Sequence, residues 1–278
     1  MAHKHSNTES KERTAISSRE LVARLARAAR GGLLSVAGAS GVLGLPRRDA
    51  AMRLGALVRR GWLLRARRGL YFVLPLEAEP GKPTVPEEPW VLAREAFSPC
   101  YIGGWSAAEH WGLTEQLFRS TLVLTAAHVR ARTMRLLGNE FRLFRVPPSR
   151  IAGTTLVWRG RERVSVSDRE RTILDCLRHP ELCGGVRHLA DMMREYGESP
   201  ERDFGKLASM AKELGTGATW KRLGYLAELL WPEEKAVVVE ARKHLTTGNV
   251  KLDPGVSRRG TLLKRWRLCI NAGVRKEA

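Results

Sequence analysis

One segment, residues 47–74, constrains this chain more than any other. Placed at 100° intervals, Arg47 to Arg60 puts Ala50, Leu54, Leu57 and Val58 on one side of a helix and Arg48, Asp49, Met52, Ala56 and Arg59 on the other. Pro46 stands just before it, where a fixed φ and a missing N–H suit the first helical turn. After Gly61, the run from Trp62 to Leu74 reads as two short strands with Arg67-Arg68-Gly69 at the turn. A helix with one packing face and one free face, followed by a basic hairpin, is built to lean on a core and present arginine outward.

What precedes the segment completes a unit. Leu21, Val22, Leu25, Ala28 and Ala29 recur at helical spacing and stop at Gly31-Gly32. A small-residue stretch, Leu34 to Leu43, and a Gly44-Leu45-Pro46 turn follow. The order helix, helix, helix, basic hairpin predicts a winged helix-turn-helix over residues 19–75, behind a polar, flexible tail over residues 1–18. In such a fold the second helix of the motif enters the major groove of double-stranded DNA. Arg48, Met52 and Arg59 are placed to read bases, with Arg47, Arg53 and Arg60 flanking them. An arginine in the first turn can give two hydrogen bonds to a guanine, worth about 1–3 kcal/mol of discrimination. Arg65, Arg67 and Arg68 on the hairpin would lie along phosphates or reach a minor groove.

Charge supports that placement. The 278 residues carry 48 Lys and Arg against 29 Asp and Glu, a formal charge of +19. Residues 19–75 hold 12 basic and 2 acidic side chains, residues 241–278 hold 10 and 2, and residues 76–240 hold 23 of each. A general arginine bias would explain the preference for Arg over Lys but not this partition. The basic ends point to a partner rich in phosphate.

Residues 76–89, with their run of prolines, read as a linker. Beyond it, residues 90–278 are predicted to form a larger α+β domain. Helices are expected at Trp90–Phe97 and at Ser106–Trp111, the latter opened by a capping Ser106 with Glu109 three residues on. Tyr101-Ile102 reads as extended. Strands are expected at 121–125, 133–137, 141–146, 154–158 and 164–166, with a Gly138-Asn139 turn. Helices then follow at 168–177, 186–196, 202–214, 219–230 and 233–243, before a last strand at Trp266–Ile270.

Several runs carry a family resemblance. "LVRRGWLLRARRGLYFVLP" (residues 57–75), "YIGGWSAAEHWGLT" (101–114), "RTILDCLRHPELCGG" (171–185) and "KRLGYLAELL" (221–230) resemble, in order, blocks of the AbiEi family of transcriptional regulators. Those proteins are antitoxins of type IV abortive-infection systems. The resemblance implies an N-terminal domain that represses its own operon at inverted repeats in its promoter. It also implies a C-terminal domain that counteracts a nucleotidyltransferase-type toxin in phage defence. Neither role needs catalysis, and no enzyme activity and no cofactor are expected. In such families the C-terminal domain can also touch DNA. Here Arg258, Arg259, Lys264, Arg265 and Arg267 would supply the second set of contacts, or form a solvated strand edge, with Trp266 in the core. A winged-helix regulator whose second domain senses a ligand or partner unrelated to a toxin is the alternative.

Other chemistries fit less well. Asp168, Glu170, Asp175 and Glu233-Glu234-Lys235 have the residue types of a metal-dependent nuclease. Asp168, however, suits a helix cap, Asp175 a polar position on that helix, and the glutamates, after Pro232, a helix's first turn. Cys176, His179, Cys183 and His188 are close enough to raise zinc, but Pro180 interrupts them and their spacing matches no zinc module; no metal is expected. Four scattered cysteines make no disulfide framework. The polar N-terminus is no secretory signal, and the longest charge-free run, Gly31 to Pro46, is too short to span a bilayer. The expectation is a cytoplasmic protein with no membrane contact.

Overall fold

Ser17 opens the first helix among the described residues, α1 (Ser18–Ala28), by accepting the Glu20 N–H on its hydroxyl at 3.1 Å. α1 buries Leu21, Val22 and Leu25 and ends before Gly31 and Gly32, both at positive φ. The small-residue stretch that follows divides in two. Leu33–Ser35 is a strand, β1, that the sequence did not announce, and Val36–Leu43 is a helix, α2, capped by the Ser35 hydroxyl on the Gly38 N–H. Gly44 at φ 61° turns the chain toward α3 (Arg47–Arg59). Ser40 locks this turn from both sides, its carbonyl accepting from Leu45 N–H and its hydroxyl donating to Leu45 O at 2.6 Å. β2 (Leu63–Arg67) and β3 (Leu70–Val73) then form the hairpin, and β3 lies centrally in a β1-β3-β2 antiparallel sheet. Strand β1 joins it with Leu34 opposite Tyr71. One core holds these elements together: Leu21, Val22 and Leu25 of α1, Ala50, Leu54 and Leu57 of α3, and Leu63, Tyr71 and Val73 of the hairpin.

This is a computed structural model that describes residues 17–75, 88–257 and 259–274. The chain divides between residues 84 and 85 into two compact units. The expected tail (1–18) and linker (76–89) lie almost wholly outside the described residues; where they are described, Ser18 and Pro89 already belong to helices.

The second unit begins with α4 (Pro89–Phe97), β4 (Cys100–Ile102) and α5 (Gly104–His110). Strands β5 (Ser120–Thr125), β6 (Thr133–Leu136), β7 (Asn139–Arg145), β8 (Thr154–Arg159) and β9 (Glu162–Ser167) follow. They form a six-stranded sheet in the order β6-β7-β5-β4-β9-β8, mixed in direction because β5 runs parallel to β7 and β4 parallel to β9. Helices α6 (Arg169–Arg178), α7 (Val186–Glu198), α8 (Phe204–Leu214), α9 (Gly217–Leu230) and α10 (Lys235–Lys243) supply most of a large apolar core. Short strands β10 (Val250–Lys251), β11 (Thr261–Leu263) and β12 (Leu268–Ile270) close a small second sheet. The protein is therefore α+β. Among the described residues no helix is long and apolar enough to cross a membrane.

Four local expectations are corrected. Ser106 does not cap α5, which starts two residues earlier; its buried hydroxyl accepts from Leu122 N–H instead, tying the helix to β5. The turn between β6 and β7 is Leu137-Gly138, both at positive φ, and Asn139 already belongs to β7. Glu233 and Glu234 precede α10 rather than filling its first turn. Trp266 lies in a 3₁₀ turn, Lys264–Trp266, and only from Leu268 is the chain a strand.

A buried guanidinium joins α6 to the sheet. The Arg171 side chain has no solvent exposure and donates to Asp175 at 3.0 Å, to the Tyr101 hydroxyl at 2.9 Å, and to the carbonyls of Arg150 and Ala152. Tyr101 in turn donates to the other Asp175 oxygen at 2.7 Å. Burial opposes the Arg171 charge, but Asp175 and Tyr101 more than offset it and hold the group above the ordinary arginine range. Burial and Asp175 likewise push the Tyr101 hydroxyl well up, so it remains a donor. Asp175→Ala would leave this charge buried without its anion and should remove about 3–5 kcal/mol of stability from the second unit. Urea denaturation of the full chain reads that as a lower midpoint; an unchanged midpoint would show the pair to be dispensable.

Candidate nucleic-acid interface

The face of α3 opposite its core stripe is open. Ala50 and Leu54 have no exposure and Leu57 has 3%, whereas Met52 is 60% exposed. Arg47, Arg48, Arg53, Arg59 and Arg60 are exposed as well. Arg48, Met52 and Arg59 fall at i, i+4 and i+11, which brings them to one side of the helix. Val58 is half-buried and packs against this core as expected, and Asp49 is half-buried in the first turn, where its charge favours the helix dipole.

The hairpin leaves the core as it proceeds. Leu63 and Arg65 share one face of β2, with Leu63 buried and Arg65 exposed, and Arg67 farther along is exposed as well. A bulge between Arg65 and Arg67 shifts the register just before the turn. Gly69 takes φ 80° at that turn, a conformation open to glycine, and Arg68 beside it is exposed. β3 is buried along its whole length, as a central strand must be.

These arginines have little to neutralise them. Arg60 donates to the Ser18 hydroxyl at 3.0 Å. The side chains of Arg47, Arg48, Arg53, Arg59, Arg65, Arg67 and Arg68 have no hydrogen bond or ion pair among the described residues. The sequence signalled all of them through the helical face split and the turn motif. It did not signal Ser40, which fixes the angle at which α3 leaves α2 and has no charge or periodicity to mark it.

The basic C-terminal end is differently disposed. Arg259 and Lys264 are exposed and unpaired among the described residues, and Arg258 lies outside them. Arg265 donates to Glu228 at 3.1 Å, the same carboxylate that accepts from the buried Trp266 indole at 2.6 Å. Arg267 donates to Thr247 O. Two of the five expected contacts are thus engaged within the second unit, and Trp266 is core.

The carboxylates at the start of α6 and the cysteine cluster are spent internally. Asp168 caps α6 through Arg171 N–H and pairs with Lys206, which also holds the buried Glu170 at 2.8 Å. Cys176 and Cys183 are fully buried, and the Cys183 contact, then burial, push the Cys176 thiol well above the usual thiol range. His188 bridges Thr114 and the Cys183 carbonyl. No group of three or more His, Cys, Asp or Glu among the described residues could hold a metal.

No protein-family model and no curated protein matches the chain. Among solved structures it is similar to the crystal structure of the RV2827C protein from Mycobacterium tuberculosis, with a TM-score of 0.57 at 19% sequence identity over 89% of each chain. The two share a fold.

If the exposed arginines serve a partner and not the fold, Arg48→Ala, Arg67→Ala and Arg68→Ala should each change stability by less than about 0.5 kcal/mol. Leu54→Ala, on the opposite face of α3, should cost about 2–5 kcal/mol. Thermal melts of the four variants check this; a large loss in any arginine variant would assign that side chain to folding.

Proposed function

We propose that the first unit is a winged helix-turn-helix that binds double-stranded DNA, and that the whole chain is a transcriptional autorepressor and antitoxin of the AbiEi type. The observation that carries the DNA reading is the set of seven arginines on α3 and the hairpin that have no partner among the described residues. A row of guanidinium groups left to solvent is the complement of a phosphate backbone, whose binding releases condensed counterions. In this reading α3 lies in the major groove with Arg48 deepest, Met52 and Arg59 beside it, and Arg47, Arg53 and Arg60 on the flanking phosphates. The β2–β3 wing holds phosphates through Arg65, Arg67 and Arg68. The turn fixed by Ser40 sets the angle of entry.

The antitoxin half rests on the resemblance of four sequence blocks to that family, and its target would be a nucleotidyltransferase toxin encoded beside this chain. Both roles belong in the cytoplasm and neither requires catalysis or a cofactor. The exposed Arg259 and Lys264 would be the second unit's contribution to DNA contact.

Fluorescence anisotropy with a duplex from the chain's own promoter tests the DNA half. Arg48→Ala should relax base preference at one position, and Arg67→Ala or Arg68→Ala should weaken all sequences alike and reduce the salt slope by about 1 each. Unchanged binding in all three would move the interface elsewhere. Co-expression with a nucleotidyltransferase encoded directly downstream tests the antitoxin half: growth should be restored by this chain, and unrelieved toxicity, or the lack of such a gene, would remove it.

A further inference from the structure

A cavity of about 640 Å³ opens on the second unit, beside β7. Four arginines line it: Arg130 and Arg132 from the connection between β5 and β6, and Arg142 and Arg145 from β7. All four are exposed, and their side chains make no hydrogen bond or ion pair among the described residues. The one acid in the lining is Glu181, whose carboxylate lies 3.3 Å from His179 Nδ1. That hydrogen bond holds Glu181 below the usual carboxylate range, so it is charged, yet it balances only one of the four guanidinium groups.

The rest of the wall is apolar and fixed in place. Phe144 and Arg142 are two residues apart on β7 and so share a face of the sheet. The parallel register sets Arg142 beside Leu122 of β5. Trp105, on α5, is buried, stacked on Phe118 at 5.2 Å and anchored by its indole N–H to Ser120 O. The loop that bears Arg130 and Arg132 is tied down by Leu143 N–H, which donates to Arg132 O at 2.8 Å. The backbone at Arg132 and along β7 is therefore set before any ligand arrives.

Each feature narrows the ligand. Planar, permanently charged guanidinium groups match phosphate oxygens two at a time and also stack on rings. An aromatic wall with arginine beside it takes a flat ring. The volume falls in the range of small-molecule sites, about 300–1,000 Å³. A recess of that size admits a small ligand. Glu181 can accept from a hydroxyl or amino group, which a bare polyphosphate lacks.

We propose that this cavity binds a nucleoside triphosphate, its phosphates on Arg130, Arg132 and Arg142 and its base against Phe144. The site is independent of the DNA-binding reading, since none of its residues belongs to the first unit.

Isothermal titration calorimetry of the full chain tests it, with ATP, GTP, tripolyphosphate and inorganic phosphate as probes at about 0.15 M salt. One nucleotide should bind per chain, more tightly than tripolyphosphate. The Arg132→Ala, Arg142→Ala double variant, with its melting temperature unchanged, should lose at least about tenfold in affinity. Phe144→Leu should keep tripolyphosphate binding and lose the preference for nucleotides. The proposal fails if neither nucleotide binds saturably, if the double variant binds as the parent does, or if tripolyphosphate binds as tightly as ATP. It fails too if the double variant loses affinity for duplex DNA and nucleotides never bind, because the arginines would then be a DNA contact.

Discussion

The apolar stripe of α3 against α1 and the hairpin is the contact on which the first unit depends. Burying a leucine such as Leu54 contributes about 1.5–3 kcal/mol, and Leu54, Leu57 and Ala50 can all be buried in only one rotation of the helix. That rotation puts Arg48, Met52 and Arg59 outside. Core formation and display of the arginines are the same event, and any roll of α3 that freed the leucines would drive guanidinium groups into an apolar core without partners. The hairpin obeys the same constraint: Leu63 and Val73 anchor it in the core, and the arginines toward its turn are exposed.

The second unit shows arginine used in the opposite way. Arg171 is buried, saturated with acceptors and paired with Asp175. Arg222, also buried, donates to the carbonyls of Leu177, Arg178, Lys251 and Leu252 and so ties α9 to neighbouring loops. Against these, the arginines of α3, of the β2–β3 hairpin and of the β7 cavity are exposed and without partners among the described residues. A guanidinium bound to carbonyls holds the fold, and one left to water is available to a phosphate. Burial and partner count separate the two classes where composition alone could not.

α3 and the β2–β3 hairpin are legible in the sequence because their signals are local. A 3.6-residue face split, a proline before the first turn and an Arg-Arg-Gly turn all lie within 28 consecutive residues. β1 was hidden because three residues are too few to show alternation, and its pairing partner is β3, far along the chain. Ser106 had the right residue type for a cap, but tertiary contact with Leu122 outcompeted the local role. Arg171 and Asp175 looked like ordinary helix polars, since their shared partner Tyr101 lies 70 positions away from Arg171. The β7 cavity was illegible for the same reason: Trp105, Arg132, Arg142 and Glu181 meet only through sheet register and helix docking.

The central claim is that the α3 and wing face reads DNA at the chain's own promoter, and footprinting of the full chain on that DNA tests it most directly. The account predicts protection of an inverted repeat upstream of the gene, lost when Arg48, Arg67 and Arg68 are all replaced by alanine in a chain that still folds. No protection at concentrations that saturate other duplex DNA, or a footprint that survives the triple replacement, would contradict it.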